Sequence, residues 1–372
     1  MPPVRVGILA FVHRNPRRPF GEQTGYIRGL LLAGRRLGLS VYAFGPQNVA
    51  ADGRIRHAYM LGPGGRGWRT GPRGRPDIVY DRFFLHLPQA DTLRRYRALR
   101  RRPPFRFLNP SLPDKWQVYR RLLRDRSLRD LLPPTAPYRD PAQLARRLAR
   151  WGSLVIKPRA GMKGRGLWFV SPTRDGLVIR SSTGGARRLP RGGLAGWARA
   201  HLRGRLLLQP ELHLRDGRGR PFDLRVLVQR DGRGHLAVTG SAVRVGRAGT
   251  RVANLHRGGT AMTLEDAQAR LPGLAAAAAQ LPGGSLAAAA HDAALRVTAA
   301  LERRWGRFAE LGIDLGFDLR RGRLFFLEAN TRPGRMVFRI SGNHRSRVLS
   351  IQRPLEYARY VVRGRKDGEA GG

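Results

Sequence analysis

Two acids and an amide stand where they can meet: Asp314, Glu328 and Asn330, within Gly312-Ile313-Asp314-Leu315-Gly316-Phe317-Asp318 and Arg323-Leu324-Phe325-Phe326-Leu327-Glu328-Ala329-Asn330. The segment 312–330 reads as a β-hairpin turning over Arg320 to Gly322. A turn centred on Arg321 sets Asp314 directly across from Glu328, and Asn330, two residues further on, shares that face. Like charges placed directly opposite destabilise a strand pair, so the arrangement calls for a cation. Two carboxylates and an amide oxygen are hard donors suited to Mg²⁺, with waters and phosphate oxygens completing the octahedron. Asp318, nearer the turn, is expected to face solvent. The plainer alternative is a surface hairpin that carries acids by chance.

A phosphate-binding element lies upstream. Of 71 basic residues only four are lysine: Lys115, Lys157, Lys163 and Lys366. Lysine offers a compact point charge where arginine offers a wide planar fork. Lys157 and Lys163 flank a glycine-rich stretch, Ile156-Lys157-Pro158-Arg159-Ala160-Gly161-Met162-Lys163-Gly164-Arg165-Gly166. Its glycines let backbone amides approach phosphate oxygens, and Lys157 projects from the preceding strand. Strand–glycine loop–strand is a hairpin flap, unlike the strand–loop–helix of a P-loop. No Gly-Lys-Ser/Thr follows, and the Gly-x-Gly-x-x-Gly spacing of dinucleotide folds is missing. A third segment, Asn254-Leu255-His256-Arg257-Gly258-Gly259, follows Arg244, Arg247 and Arg251. The nine histidines show no His-x-x-x-His spacing and no partnered serine. His256 reads as a packing or hydrogen-bonding residue, as do Trp116 and Trp168. Arg332 and Arg335 are candidates for a substrate carboxylate, solvated arginine being the bland alternative.

These groups need elements to hold them. Residues 4–12, 40–44 and 78–84 read as strands, with a helix over 22–38 and a long Gly/Pro/Arg-rich loop from Gly62 to Pro76. That is an open-sheet α/β unit closing near Pro113. A helix is expected over Lys115–Leu132 and another over 141–150. Strands are expected over 154–156, 166–170, 206–209, 222–229 and 235–245, then a long helix over 287–304 and the hairpin strands 313–319 and 323–328. The alanine-rich stretch 275–290 reads as helix termini with a mobile connection. The tail, residues 363–372, is expected to be disordered.

In this order the elements resemble the ATP-grasp superfamily, on the side of glutathione synthetase and the ribosomal-protein-modifying ligases. The match covers roughly residues 114–340, through Leu208-Gln209-Pro210-Glu211, Asp223-Leu224-Arg225-Val226 and the Asn254 segment. Asp114-Lys115-Trp116, Leu311-Gly312-Ile313-Asp314 and Glu328-Ala329-Asn330-Thr331-Arg332-Pro333-Gly334-Arg335 look more closely like the YheC/YheD family of endospore coat-associated proteins. The resemblance implies a pre-ATP-grasp α/β domain (1–113) followed by an ATP-grasp domain (114–362), with its flap near 154–170. It implies ATP as ligand, with Mg²⁺ or, in its place, Mn²⁺. By position, Lys115, Lys157, Lys163 and Gly164 would meet the phosphates, and Gln209 and Glu211 would line the adenine and ribose pocket. Asp223 and Asn254 would sit near ribose and phosphates. Arg244, with Lys157, would stabilise the transferred phosphoryl group, and Asp314, Glu328 and Asn330 would hold the metal. The chain departs from the pattern at Pro210 and at a hairpin insertion over 213–221, which unsettles the register of the ribose acid. The implied activity is carboxylate–amine ligation of unnamed substrates through an acyl phosphate. The alternative is a spore-coat structural protein that keeps the fold without turnover. The implied setting is the cytoplasm of the mother cell or the spore coat.

Composition bounds the rest. A chain of 372 residues accommodates two or three domains. No apolar run approaches the roughly 18 residues of a membrane span, and the N-terminus does not read as a signal peptide. The chain has no cysteine, which excludes disulfides, thiolate nucleophiles and cysteine zinc sites and fits an intracellular protein. A net charge of +46 gives affinity for polyanions, but the arginines are spread along the chain with no nucleic-acid-binding signature.

Overall fold

Apolar alternation builds three sheets in chain order. The computed structural model describes residues 2–84, 89–161, 164–255 and 258–369, with side chains through residue 364. The first sheet holds β1 (Arg5–Leu9), β2 (Ser40–Phe44), β3 (Ile55–Leu61), β4 (Trp68–Arg73) and β5 (Ile78–Asp81) in the order β4-β3-β2-β1-β5, with α1 (Thr24–Arg36) between its first two strands. β1 pairs in parallel with β2 and β5, and Val6 and Ile8 are wholly buried, as a central parallel strand requires. The open α/β unit expected from the sequence is present. The stretch 62–76, expected as a long loop, instead contains β4, paired antiparallel with β3. β4 is an edge strand, where Pro72 need not interrupt a two-sided ladder.

α2 (Ala90–Arg101) and α3 (Lys115–Leu123) lead into the second unit. The helix expected to reach Leu132 stops at Leu123, because Asp125 caps a separate 3-10 helix over Arg126–Leu131. The second sheet contains β6 (Ala136–Pro137), β7 (Leu154–Pro158), β8 (Trp168–Thr173), β9 (Gly176–Ser181), β10 (Ala186–Leu189) and β11 (Leu206–Pro210), in the order β10-β9-β8-β7-β11-β6. Leu154, Ile156, Val170, Leu206 and Leu208 form a core with Leu144 and Leu148 of α4 (Pro141–Trp151) and Trp197 of α5 (Leu194–His201). Alternation therefore turns Lys157, Leu207 and Gln209 to the other face.

The third sheet holds β12 (Phe222–Arg230), β13 (Leu236–Val245), β14 (Thr260–Met262), β15 (Glu310–Asp318) and β16 (Arg323–Asn330), in the order β14-β13-β12-β15-β16. Between β14 and β15 run α6 (Leu264–Arg270), α7 (Leu274–Ala278) and α8 (Leu286–Trp305). Leu224, Val226, Ile313 and Leu315 pack against Ala290, Ala294 and Val297 of α8. The residues alternating with them form a polar face. Asp318 was expected to face solvent, but it is fully buried. It accepts bonds from the His213, Arg320 and Arg321 backbone amides at 3.0, 3.0 and 3.2 Å, because the 213–221 insertion folds back over the turn.

After α9 (Met336–Ile340), α10 (His344–Glu369) continues past Arg363, where the disordered tail was expected to begin. Its Leu355, Tyr357, Ala358 and Val362 lie in the core of the first sheet with Val6, Ile8, Ile27 and Leu30. Burying a large apolar side chain is worth about 2 kcal/mol, so Leu355, Tyr357 and Val362 together reach the lower end of the usual folding margin of about 5–15 kcal/mol. Deleting residues 344–372 is expected to unfold the first sheet. Limited proteolysis should then cut within residues 4–81, which stay protected in the full chain.

Candidate active site

The polar face of the third sheet follows from strand register. Asp223 pairs with Arg244, Arg225 with Asp314, Asp314 with Glu328, and Gly312 with Asn330. The hairpin register read from the sequence therefore holds at its functional end. Nearer the turn it moves by one: Leu315 pairs with Phe326, leaving Leu327 as a bulge residue beside Glu328. Bulges re-aim side chains at sites of this kind.

Asp314 is gripped from two sides. Arg225 binds it with Nε and with Nη2, the latter 2.9 Å from Oδ2, and Arg244 Nη2 lies 3.1 Å from the same oxygen. Arg244 Nε also donates to Asp223 at 2.5 Å. Burial alone would raise the Asp314 carboxyl, but Arg225 and Arg244 outweigh it and hold it below the usual range. Burial raises Asp223, with Arg244 opposing. Arg244 is held protonated, because its two acids overcome the burial that would lower it. This is a neutral, buried network of two acids and two guanidinium groups.

Across from it, the second sheet presents Lys157. Between the sheets lies a cavity of about 350 Å³ lined by Lys115, Lys157, Leu207, Gln209, Glu328 and Asn330, among others. That volume is within the usual range for small-molecule sites. Burial, and less strongly the charge of Lys115, pull the Lys157 ammonium down to about 8, with Glu328 opposing. Lys115 begins α3, whose N-cap Asp114 accepts from Gln117 N at 3.0 Å. Its ammonium donates to Gly161 O at 2.8 Å and lies 3.5 Å from Glu328. Asp114 also pairs with Arg159 at 2.8 Å, so one helix start ties the flap to the acidic hairpin.

Of the remaining candidates Gln209 lines this cavity, whereas Glu211, Gly164, Asn254, Asp223, Arg244 and Asp314 are not among the described residues that line it. Gln209 is buried and donates to Thr135 Oγ1 at 2.6 Å. Glu211 accepts from Arg251 at 2.8 Å and from Ser171 at 3.4 Å. Gly164 adopts φ +65°, and Val252 lies 3.5 Å from where a side chain there would begin, so the loop carrying Asn254 reaches the flap. Lys163 and His256 lie outside the described residues. Trp116 stacks on Tyr119 and Trp168 packs edge-on to Trp197, both as expected of packing residues.

One expectation needs correction, and one residue was missed. Arg332 and Arg335 are not free to take a substrate carboxylate on their own: Arg332 pairs with Asp81 at 2.8 Å and Arg335 with Glu310. Sequence reasoning also passed over Arg225. Its signal was present, since a residue two after Asp223 on a strand shares the Asp223 face. Among the described residues no three His, Cys, Asp or Glu side chains form a metal cage. The donor set is two carboxylates and an amide, and Mg²⁺ commonly takes one or two carboxylates with phosphate oxygens and waters, so the residues fit that ion. No helix among the described residues is long and apolar enough to cross a membrane.

Comparison with known proteins agrees with this architecture. The chain is 24% identical to the endospore coat-associated protein YheC of Bacillus subtilis (strain 168) over 349 residues, 91% of this chain and 93% of that one. It is 25% identical to YheD of the same organism over 364 residues, 92% and 75% of the two chains. Its fold matches the crystal structure of the D-cycloserine synthetase DcsG with a TM-score of 0.53 at 15% identity, covering 95% and 99% of the chains. The model of the YheC/D-like ATP-grasp family matches residues 104–361. The chain belongs to the YheC/D-like ATP-grasp family.

Proposed function

We propose that this protein is an ATP-dependent carboxylate–amine ligase. The observation that carries the reading is the cavity between two sheets, which Lys157 and Lys115 line together with Glu328 and Asn330, while Asp314 lies directly across the hairpin from Glu328. Such walls suit the two ends of a nucleoside triphosphate complex: ammonium groups for phosphate oxygens, and hard oxygens for the ion that accompanies them. Bound by Asp314, Glu328 and Asn330, Mg²⁺ would neutralise phosphate oxygens and lower the cost of charge in transfer. Lys157 and Lys115 would hold the triphosphate, with Lys163 and Gly164 acting from the flap. Gln209 and Glu211 would bind the adenosine end, with Asp223 and Asn254 near ribose and phosphates. Arg244, joined by Arg225, would stabilise the phosphoryl group as the substrate carboxylate attacks it. The acyl phosphate so formed would lose phosphate to an attacking amine, giving an amide without a protein nucleophile. The names of the relatives suggest an endospore setting, in the mother cell or on the coat.

MgATP is expected to raise the melting temperature of the protein. ADP release should appear when the right pair is present in pools of amino acids, peptides and cell-wall precursors. No shift at millimolar MgATP would end the nucleotide reading. A shift with silence across all pools would favour a coat component that binds ATP without turnover.

A further inference from the structure

The hairpin that carries Asp314, Glu328 and Asn330 ends unevenly. The last pair between its strands is Gly312 with Asn330, yet β15 reaches back to Glu310, which still pairs with Gln229 of β12 on the other side. On the side that β16 has left, the Asn109 side chain continues the ladder. Its Oδ1 accepts from the backbone amides of Ala309 and Glu310 at 2.7 and 3.2 Å. Its Nδ2 donates to the carbonyls of Glu310 and Thr331 at 3.0 and 2.9 Å. Both lone pairs of the oxygen and both hydrogens of the nitrogen are thereby engaged, so one primary amide does the work of a missing peptide unit. Asn109 is buried, and water has no room to take over these bonds.

The place of this residue in the chain matters as much as its bonds. Asn109 ends a short segment of the first unit: Phe107 bridges Val79 of β5 in parallel, and Leu108 N donates to Val79 O at 2.8 Å. The chain that follows supplies Leu112, Pro113, Asp114 and Lys115 to the lining of the cavity. On the far side of the amide, Thr331 directly follows Asn330, and both line the same cavity. Asn109 therefore fastens the end of the acidic hairpin to the segment that leads to Lys115.

We propose that Asn109 is a positioning residue for the cation site. It touches neither ion nor nucleotide; it sets Asn330 by holding the Thr331 carbonyl against the start of β15. The proposal rests on the reading of Asp314, Glu328 and Asn330 as ligands of the ion that accompanies ATP. A merely structural amide would change stability and leave the contribution of the ion alone. A positioning amide changes that contribution beyond any change in stability.

Asn109→Asp is the decisive variant. It keeps the shape and the acceptor for the two amides, and it sets a carboxylate oxygen against two carbonyls, so Thr331 is pushed away. Calorimetric titration of the full chain with MgATP, and with ATP in EDTA, reads how much the ion adds to nucleotide affinity. In Asn109→Asp that gain should fall about tenfold or more, the usual cost of losing a partner that orients a metal ligand. Affinity for ATP in EDTA should stay at the wild-type value. Asn109→Ser, which keeps one donor and one acceptor without repulsion, should fall between the two and serves if the aspartate does not fold. Ile55→Ala, in the first-sheet core of Leu9, Tyr42 and Phe44, lowers the melting temperature and should leave the gain intact. Hydrogen exchange of the free protein gives a second readout: peptides over residues 329–333 should exchange faster in the Asn109 variants than in Ile55→Ala. A wild-type gain from Mg²⁺ in the Asn109 variants, or an equal loss in Ile55→Ala, overturns the proposal and leaves the nucleotide reading standing. Failure of the wild-type protein to bind MgATP ends that reading, and the role of Asn109 in ion binding falls with it.

Discussion

Glu328→Ala is expected to abolish the melting shift produced by MgATP while barely changing the melting temperature of the free protein. The two halves have separate causes. Glu328 is about a quarter exposed, and its one ion pair among the described residues, to Lys115, is 3.5 Å long. Pairs of that kind contribute roughly 0–1 kcal/mol. Removing the acid also removes its confrontation with Asp314, so the fold loses little. Binding is another matter. Asp314 already shares its oxygens with Arg225 and Arg244, which leaves Glu328 as the carboxylate most open to an incoming ion. Loss of mere outer partners of metal ligands costs about 10–100-fold in affinity, and a ligand itself should cost at least that. Thermal scans with and without MgATP, run on both proteins, check it. A variant that melts early yet keeps its shift would make Glu328 a structural residue.

Lys157→Arg should be nearly as damaging, and in a way that depends on pH. Lys157 lines the cavity between the sheets, where a planar fork does not reproduce a compact ammonium. An affinity loss of at least about tenfold is expected. The wild-type ammonium is pulled down to about 8 from 10.5, chiefly by burial. A depressed lysine pKa means that the native state gives up its proton first. Between about pH 8 and 10.5 the unfolded chain holds more protons, so this group makes the free protein more stable as pH rises through that window. Triphosphate affinity should move the opposite way, falling above about pH 8 as the cation is lost. Nucleotide titrations at pH 7 and pH 9 in both proteins provide the check. Arginine stays protonated throughout, so the variant should bind weakly and without the slope. Wild-type affinity in Lys157→Arg, or a flat wild-type profile, would remove Lys157 from the phosphate site.

The acidic hairpin was legible because a short turn fixes register, and register fixes which side chains face each other. Asp314 across from Glu328 needed no knowledge of anything beyond the hairpin. The flap was legible for the same reason, as two strands flanking glycines. What escaped the sequence depended on distant chain. Asp318 is buried by the 213–221 insertion, and Arg332 and Arg335 pair with Asp81 and Glu310, which lie far from them in sequence or on another strand. The β4 edge strand was hidden by its Gly, Pro and Arg content, since an edge tolerates residues that a central strand rejects. Arg225 was visible in the Asp-Leu-Arg strand but could not be given a role until β15 was placed beside it.

The closing of α10 over the first sheet has a consequence for how the molecule comes into being. Synthesis delivers the five strands of that sheet early, yet part of their apolar cover arrives only with the last helix. Domains ordinarily complete themselves as they emerge from the ribosome. Here the first sheet is completed only after the two sheets that follow it in the chain have been made. It waits, partly uncovered and rich in positive charge, until α10 has been made, so a late assembly step joins segments far apart in the chain.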